Sequence, residues 1–353
     1  MNSRDCSRLA TSTIFNANAR EVGVAATVHA VPRQPVIRRS FGPDFLALEG
    51  LSAMQLTGLL DHAERLLPSA VGDAPAERVL AGKLIANLFF EDSTRTRVSF
   101  EIAARRLGAD VVNLGASGSS ASKGESLVDT ARNIEAMGVD VLVVRCAISG
   151  GAALVADNVK CAVVNAGDGR HEHPTQGLLD LLTLRRHLGD LRGKRVAIVG
   201  DIANSRVARS TTHGLVALGA HVVVVGPPSL IPSGWRNLTC GENITISHDL
   251  DPIVGEVDAI ITLRIQMERA AGQGIASDYR FAYGLTESRR ARLRSGALIL
   301  HPGPMNRGVE IDDAVADDAL SSVIFEQVSA GVAVRMAVLL QACTAVAKDT
   351  QSH

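Results

Sequence analysis

The chain has no pair of cysteines at the spacing of a redox or zinc motif. Its five cysteines stand alone at positions 6, 146, 161, 240 and 343, with no C-x-x-C and no histidine at metal-ligand spacing from any of them. An odd, scattered set in a long chain argues against a disulfide framework and a structural zinc, and for a reduced, cytoplasmic protein. No apolar run reaches the roughly 18 residues of a membrane span. The most apolar late stretch, Gly331 to Ala342, is interrupted by Arg335. No secretory apolar segment opens the chain. Charge of one sign is also lacking: 36 Lys+Arg stand against 37 Asp+Glu, a formal net charge of −1. That balance offers no basic field for nucleic acid and no polybasic membrane patch, so any anion site must be built locally. There is no internal repeat. The dinucleotide fingerprint is incomplete too, since Val199-Gly200-Asp201 is not followed by the later glycines of G-x-G-x-x-G.

What is present is enough for a large packed core. The 353 residues suggest two domains, and 46% hydrophobic with 21% charged residues is a globular composition. Residues 1–40 are rich in Ser, Thr, Ala and Arg and poor in acids, which reads as a mobile extension. Transit peptides share that composition, so organelle import is the competing reading. Beyond it, strand and helix patterns alternate. A helical pattern over 44–67 is expected to stop at Pro68. Strands are expected at 84–90, 110–114, 139–144, 162–165, 195–199, 221–225, 244–247, 259–263 and 297–301. Helices are expected at 98–107, 126–137, 175–187, 205–218 and 327–347. This rhythm predicts an α/β protein with two doubly wound parallel-sheet domains joined by the long 175–187 helix. The expected divisions are 41–180 and 181–326, with the 327–347 helix packing back on the first domain.

The chemistry gathers around Glu91-Asp92-Ser93-Thr94-Arg95-Thr96-Arg97. An apolar strand precedes it and a helix follows, so Ser93 or Thr94 is placed to cap a helix N-terminus. Unpaired N–H groups, three hydroxyls and a guanidinium in one place suit a phosphate dianion. Other polar clusters fall at the carboxyl ends of expected strands, where ligands bind in open parallel sheets. They are Arg145, His173 with Gln176, Arg206, Arg264 with Gln266, and His301-Pro302-Gly303-Pro304. Singly each is weak, because a lone arginine at a strand end is usually a solvated charge. Arg206 and Arg264 stand in the second half, apart from the 93–97 helix. Asp168, Asp180 and Asp201 invite a metal reading, but hydroxyls and arginines dominate and the chemistry needs no Lewis acid; no metal or cofactor is expected.

Phe89 to Arg97 resembles the carbamoyl-phosphate motif of the aspartate and ornithine carbamoyltransferases. His173-Pro174-Thr175-Gln176 is similar to that family's His-Pro-x-Gln, and the likeness runs from about residue 43 to 347. The resemblance implies that Ser93, Thr94, Arg95, Thr96 and Arg145 bind phosphate. It implies that His173, with Arg95 and Thr96, polarises the carbonyl. Gln176, Pro302, Gly303 and Pro304 would then hold the carbamoyl group. Ser119 and Lys123 resemble a loop pair that enters a neighbour's site, which implies a homotrimer with shared sites and counts Lys123 among both the catalytic and the aspartate-binding residues. Arg264-Ile265-Gln266 resembles the Arg-x-Gln loop of the aspartate enzymes, and His301-Pro302-Gly303-Pro304 lacks the cysteine of the ornithine enzymes. Two guanidiniums, Arg206 and Arg264, suit a dicarboxylate and would repel a second ammonium. The expectation is therefore transfer of the carbamoyl group to L-aspartate, in pyrimidine synthesis. Ornithine as acceptor, or a non-catalytic subunit, are the competing readings. A regulatory or dihydroorotase-type partner would be in keeping with the family.

Overall fold

The computed structural model describes residues 42–115, 124–239, 243–265 and 279–349. Two parallel sheets organise them. The first has four strands, β1 (Leu84–Phe89), β2 (Asp110–Gly115), β3 (Val141–Cys146) and β4 (Ala162–Asp168), in the order β2-β1-β3-β4. The second has five, β5 (Arg195–Val199), β6 (His221–Val225), β7 (Ile244–Ser247), β8 (Ala259–Thr262) and β9 (Leu298–Leu300), in the order β7-β6-β5-β8-β9. Every pairing is parallel. Both orders reverse direction at the first strand, β1 in one sheet and β5 in the other. Such a reversal opens a crevice at the strand C-termini. Central strands such as Val196–Val199 are buried along their length, as unbroken Val/Ile/Ala runs require when helices cover both faces.

The helices are α1 (Ala53–Val71), α2 (Thr94–Arg106), α3 (Leu127–Glu135), α4 (Gly151–Ala156), α5 (Pro174–Leu188), α6 (Arg206–Ala217), α7 (Tyr279–Tyr283), α8 (Glu287–Arg290), α9 (Asp313–Ala316) and α10 (Ile324–Asp349). α5 follows the last strand of the first sheet and precedes the first strand of the second, and its residues from Pro174 to Leu184 are all buried. α10 packs against α1, α2 and α5.

Three expectations need correcting. The first helix neither begins near 44 nor ends at Pro68. Residues 44–45 instead extend the first sheet: Phe45 bridges Val164, and Asp44 accepts from the Val163 N–H at 2.9 Å. Ser52 then opens α1 through a capping box with Gln55. Pro68 lies inside its last turn, where a missing N–H costs one bond, and its carbonyl collects the N–H groups of Gly72, Asp73 and Ala74. Secondly, α2 starts at Thr94 rather than Val98, which brings Arg95 and Thr96 into its first turn. Thirdly, Ile324–Thr344 is 21 residues long with mean hydropathy 1.3, long and apolar enough to cross a membrane by length and composition alone. Most of this span is committed to the protein's own core: Ala333, Val334, Met336, Ala337, Val338 and Leu339 are all buried, while Phe325 and Val328 near its start are exposed.

Candidate active site

α2 begins with Ser93 in an extended conformation at the N-cap, yet the Ser93 hydroxyl makes no capping bond. The first-turn N–H groups of Thr94, Arg95 and Thr96 therefore lie uncapped at the edge of a cleft of about 650 Å³. An uncapped helix N-terminus carries partial positive charge and offers N–H donors to an anion. The cleft is lined by Ser93, Thr94, Arg95, Thr96, Arg145, His173, Gln176, Arg206, Arg264, Pro302, Gly303 and Pro304. These twelve residues and His301, all gathered from sequence as candidate ligand contacts, thus meet in one place, drawn from the C-terminal ends of strands in both sheets, whereas Asp168, Asp180 and Asp201 do not line it. Ser119, Lys123 and Gln266 lie outside the described residues.

Arg145, in β3, donates to the Ala166 carbonyl at 3.3 Å and to Thr96 Oγ1 at 3.5 Å. Burial, and then the nearby Arg206 guanidinium, push its pKa down to about 9, which leaves it cationic at neutral pH. Arg206 opens α6. Its Nη1 reaches Glu91 Oε2 at 2.8 Å and the Gly169 carbonyl at 3.2 Å. Gly167, at φ +118°, makes room for it, since a Cβ there would stand 2.9 Å from Arg206 Nε. Glu91 Oε2 also lies 3.5 Å from Arg145 Nε, so one carboxylate spans both arginines. Arg206 is therefore not remote from the 93–97 segment, as its sequence position suggested: Glu91 ties it to the strand end just before that segment. The Arg95 guanidinium packs on Gly303, where a Cβ would come within 3.0 Å of it. Gly303 holds φ +63°, and its N–H donates to His301 Nδ1 at 2.8 Å.

His173 is fixed through its backbone, its N–H donating to Ser210 Oγ at 2.8 Å; Ser210 in turn donates to the buried Glu172 at 2.7 Å. The imidazole Nδ1 is buried without a hydrogen-bond partner. Burial, with Arg145, Arg206 and Arg335 adding to it, holds the His173 pKa well below the usual imidazole range. The ring is then neutral and can donate one hydrogen bond to a carbonyl, and its lowered basicity makes it a weak general base. Gln176 donates to Asp180, which also accepts from Gln327 and Thr211. Burial raises the Asp180 pKa to about 6, against those three hydrogen bonds.

Sequence reasoning gave no role here to Glu91, Asn204, Gln327 or Arg335, which also line the cleft. Arg335 had a signal, being the charge that interrupts an apolar helix. Glu91 had none, because its meaning depends on arginines far away in sequence. Outside the cleft lining, Glu49, Glu172 and His213 bring one ligand atom each within 4.8 Å of one another. Glu172 is already satisfied there by the N–H groups of Leu48 and Glu49 and by Ser210.

Two α/β layers around an arginine-rich, hydroxyl-rich cleft define an enzyme that handles small anionic substrates, with a helix N-terminus suited to a phosphate. Residues 43–186 match the model of the aspartate/ornithine carbamoyltransferase carbamoyl-P binding domain, and residues 192–342 match that of the Asp/Orn binding domain. The chain belongs to the aspartate/ornithine carbamoyltransferase family. It is 53% identical to the aspartate carbamoyltransferase catalytic subunit of Myxococcus xanthus, over 85% of this chain and 99% of that one. It is 55% identical to the corresponding subunit of Rhodospirillum rubrum, over 83% and 92%. Among solved structures it resembles Trypanosoma cruzi aspartate transcarbamoylase in complex with carbamoyl aspartate and phosphate, with TM-score 0.76, 30% identity, and 86% of this chain and 97% of that one covered. Thermus thermophilus ornithine carbamoyltransferase is similar in shape, with TM-score 0.75, 28% identity, and 85% and 99% covered.

Proposed function

We propose that this chain transfers the carbamoyl group of carbamoyl phosphate to the α-amine of L-aspartate, giving N-carbamoyl-L-aspartate and phosphate, an early step of pyrimidine synthesis. The observation that carries the reading is the pairing of two cationic sets in one cleft. The first sheet brings the α2 N-terminus with Arg95, and Arg145; the second brings Arg206 and Arg264. The first set suits a phosphoryl dianion and the second a dicarboxylate. The cleft carboxylate nearest the second set, Glu91, is engaged by Arg206 and Arg145 and is not presented to a substrate ammonium. The relatives named above are aspartate carbamoyltransferase catalytic subunits, and Trypanosoma cruzi aspartate transcarbamoylase has been solved in complex with carbamoyl phosphate and with aspartate.

In this reading Ser93, Thr94, Thr96 and Arg145 hold the phosphate. Arg95 stabilises the bridging oxygen as it leaves. The α-amine nitrogen forms a bond to the carbonyl carbon, that carbon's bond to the bridging oxygen breaks, and phosphate departs. His173 donates to the carbonyl oxygen while Gln176, Pro302, Gly303 and Pro304 orient the carbamoyl amide. Burial lowers the basicity of His173, and the amine proton goes to the departing phosphate. Catalysis is then positioning plus preorganised stabilisation of developing charge. Lys123 and Ser119, from a neighbouring chain, complete the site in a cytoplasmic homotrimer. Residues 41–180 form the carbamoyl-phosphate domain and 181–326 the aspartate domain. Colorimetric assay of ureido product with each amino acid tests the reading: aspartate should be carbamoylated and ornithine should not. Product from ornithine alone would establish the competing enzyme, and product from neither a non-catalytic role.

A further inference from the structure

Arg335 is a cation in the cleft to which the carbamoyl-transfer reading gives no task. It stands midway along α10 and is 4% exposed. Its guanidinium lies 5.2 Å over the Phe100 ring, and Nη1 donates to the Gly331 carbonyl one turn earlier at 2.9 Å. Gly331 opens the space, because a Cβ there would stand 2.5 Å from Nη1. Arg335 Nε is buried without a hydrogen-bond partner, and among the described residues no carboxylate pairs with this side chain. Burial pushes its pKa down to about 10, so it remains charged at neutral pH. Its field depresses the pKa of both Arg145 and His173, which places it within electrostatic reach of the two.

A buried charge without a counter-ion is a burden on the fold, and replacing it by a neutral side chain of similar volume is often stabilising. Such a burden persists where function needs the charge. The aromatic seat on Phe100 and the bond to Gly331 hold the guanidinium in place beside the cleft, as a preorganised cation. We infer that Arg335 is a further anion-binding residue of this site, whose counter-ion is the phosphoryl group of carbamoyl phosphate. The inference rests on the carbamoyl-transfer reading and adds a cation that was not assigned from the sequence motifs.

The test uses inorganic phosphate as probe, titrated calorimetrically into the full-length wild type, R335Q and R335K, with thermal melts of each free protein. R335Q should bind phosphate at least about tenfold more weakly and show a matching rise in KM for carbamoyl phosphate, with KM for aspartate within about twofold. Its melting temperature should be unchanged or higher, the sign opposite to that of a merely structural arginine. R335K keeps the charge and should stay within about threefold of wild type for phosphate. Wild-type phosphate affinity in R335Q would overturn the inference alone. Failure of R335Q to fold, or a phosphate loss in R335K equal to that in R335Q, would also overturn it, since then packing and not charge is what Arg335 provides. If wild type itself binds no phosphate, the phosphate site of the proposed reaction falls and the inference with it.

Discussion

Glu91→Gln isolates the carboxylate that joins the two cationic sets. Glu91 Oε2 lies 2.8 Å from Arg206 Nη1 and 3.5 Å from Arg145 Nε, with only 16% of its side chain exposed. At an effective dielectric of about 20 these separations correspond to roughly 6 and 5 kcal/mol of gross attraction. Most of that is offset by desolvation. Removing one partner of a buried pair costs about 3–5 kcal/mol, and the partial exposure and retained amide of glutamine put the expected loss near 2 kcal/mol. If that loss appears as freedom of Arg206, KM for aspartate should rise about 30-fold, at about 1.4 kcal/mol per tenfold. Phosphate should respond in the opposite direction. Deleting a negative charge beside Arg145 leaves the cleft more positive, so inorganic phosphate should bind as tightly as in wild type or more tightly. Steady-state kinetics with aspartate varied, together with phosphate titration calorimetry, reads both signs. An unchanged aspartate KM, or a large loss of phosphate affinity, would refute the view that Glu91 acts by holding Arg206.

On the proposed reading Arg95→Ala removes the donor to the leaving oxygen and should lower kcat by at least about 10²–10³ with folding intact; near-normal turnover would end the phosphate-site assignment. Arg264→Ala should raise KM for aspartate while phosphate titrations stay close to wild type, and succinate should compete with aspartate in the parent enzyme. For the shared-site model, equal amounts of Lys123→Ala and Arg95→Ala chains, dissociated and reassembled at random, should recover activity toward roughly a quarter of wild type, because a closed ring makes a quarter of its sites whole; no recovery after verified subunit exchange would refute it. Asp180 has its folded pKa raised to about 6 from an ordinary value near 3.8. Its protonated form is favoured by folding, so the stability it contributes is present below pH 4 and is lost as pH rises through 6. Asp180→Asn should therefore gain stability over wild type at pH 8 and not at pH 4, by at most about 3 kcal/mol; denaturant melts at the two pH values that show no such difference would contradict the assignment.

The parallel α/β architecture was legible because Val/Ile/Ala runs such as Val196–Val199 are strands buried on both faces, and the segments between them carry helical spacing. The cleft residues were legible because parallel strands deliver their C-terminal ends to one edge, so Arg145, Arg206, Arg264 and His301 could be gathered before any coordinate. Local rules failed where a tertiary partner decides. Residues 44–52 carry a helical spacing, but Phe45 pairs with β4 and Ser52 sets the helix start, and Pro68 sits in the last turn of α1 at the cost of one N–H bond. Glu91 was unreadable as a clamp because its partners lie 54 and 115 residues away. Expectations for Ser119, Lys123 and Gln266 fall outside the described residues and stand as proposals.

The C-terminal helix carries a consequence for the order in which the protein is made. Ser93 to Thr96 emerge from the ribosome early, and both sheets are synthesised by residue 300. Yet Gln327, which ties Asp180 to the backbone of His301, and Arg335, in the cleft wall, come only with α10. A chain stopped at residue 320 would hold every strand and most of the arginines but would lack the helix on which α1, α2 and α5 pack. Such truncated products should be inactive and exposed to proteolysis. Competence therefore waits on α10.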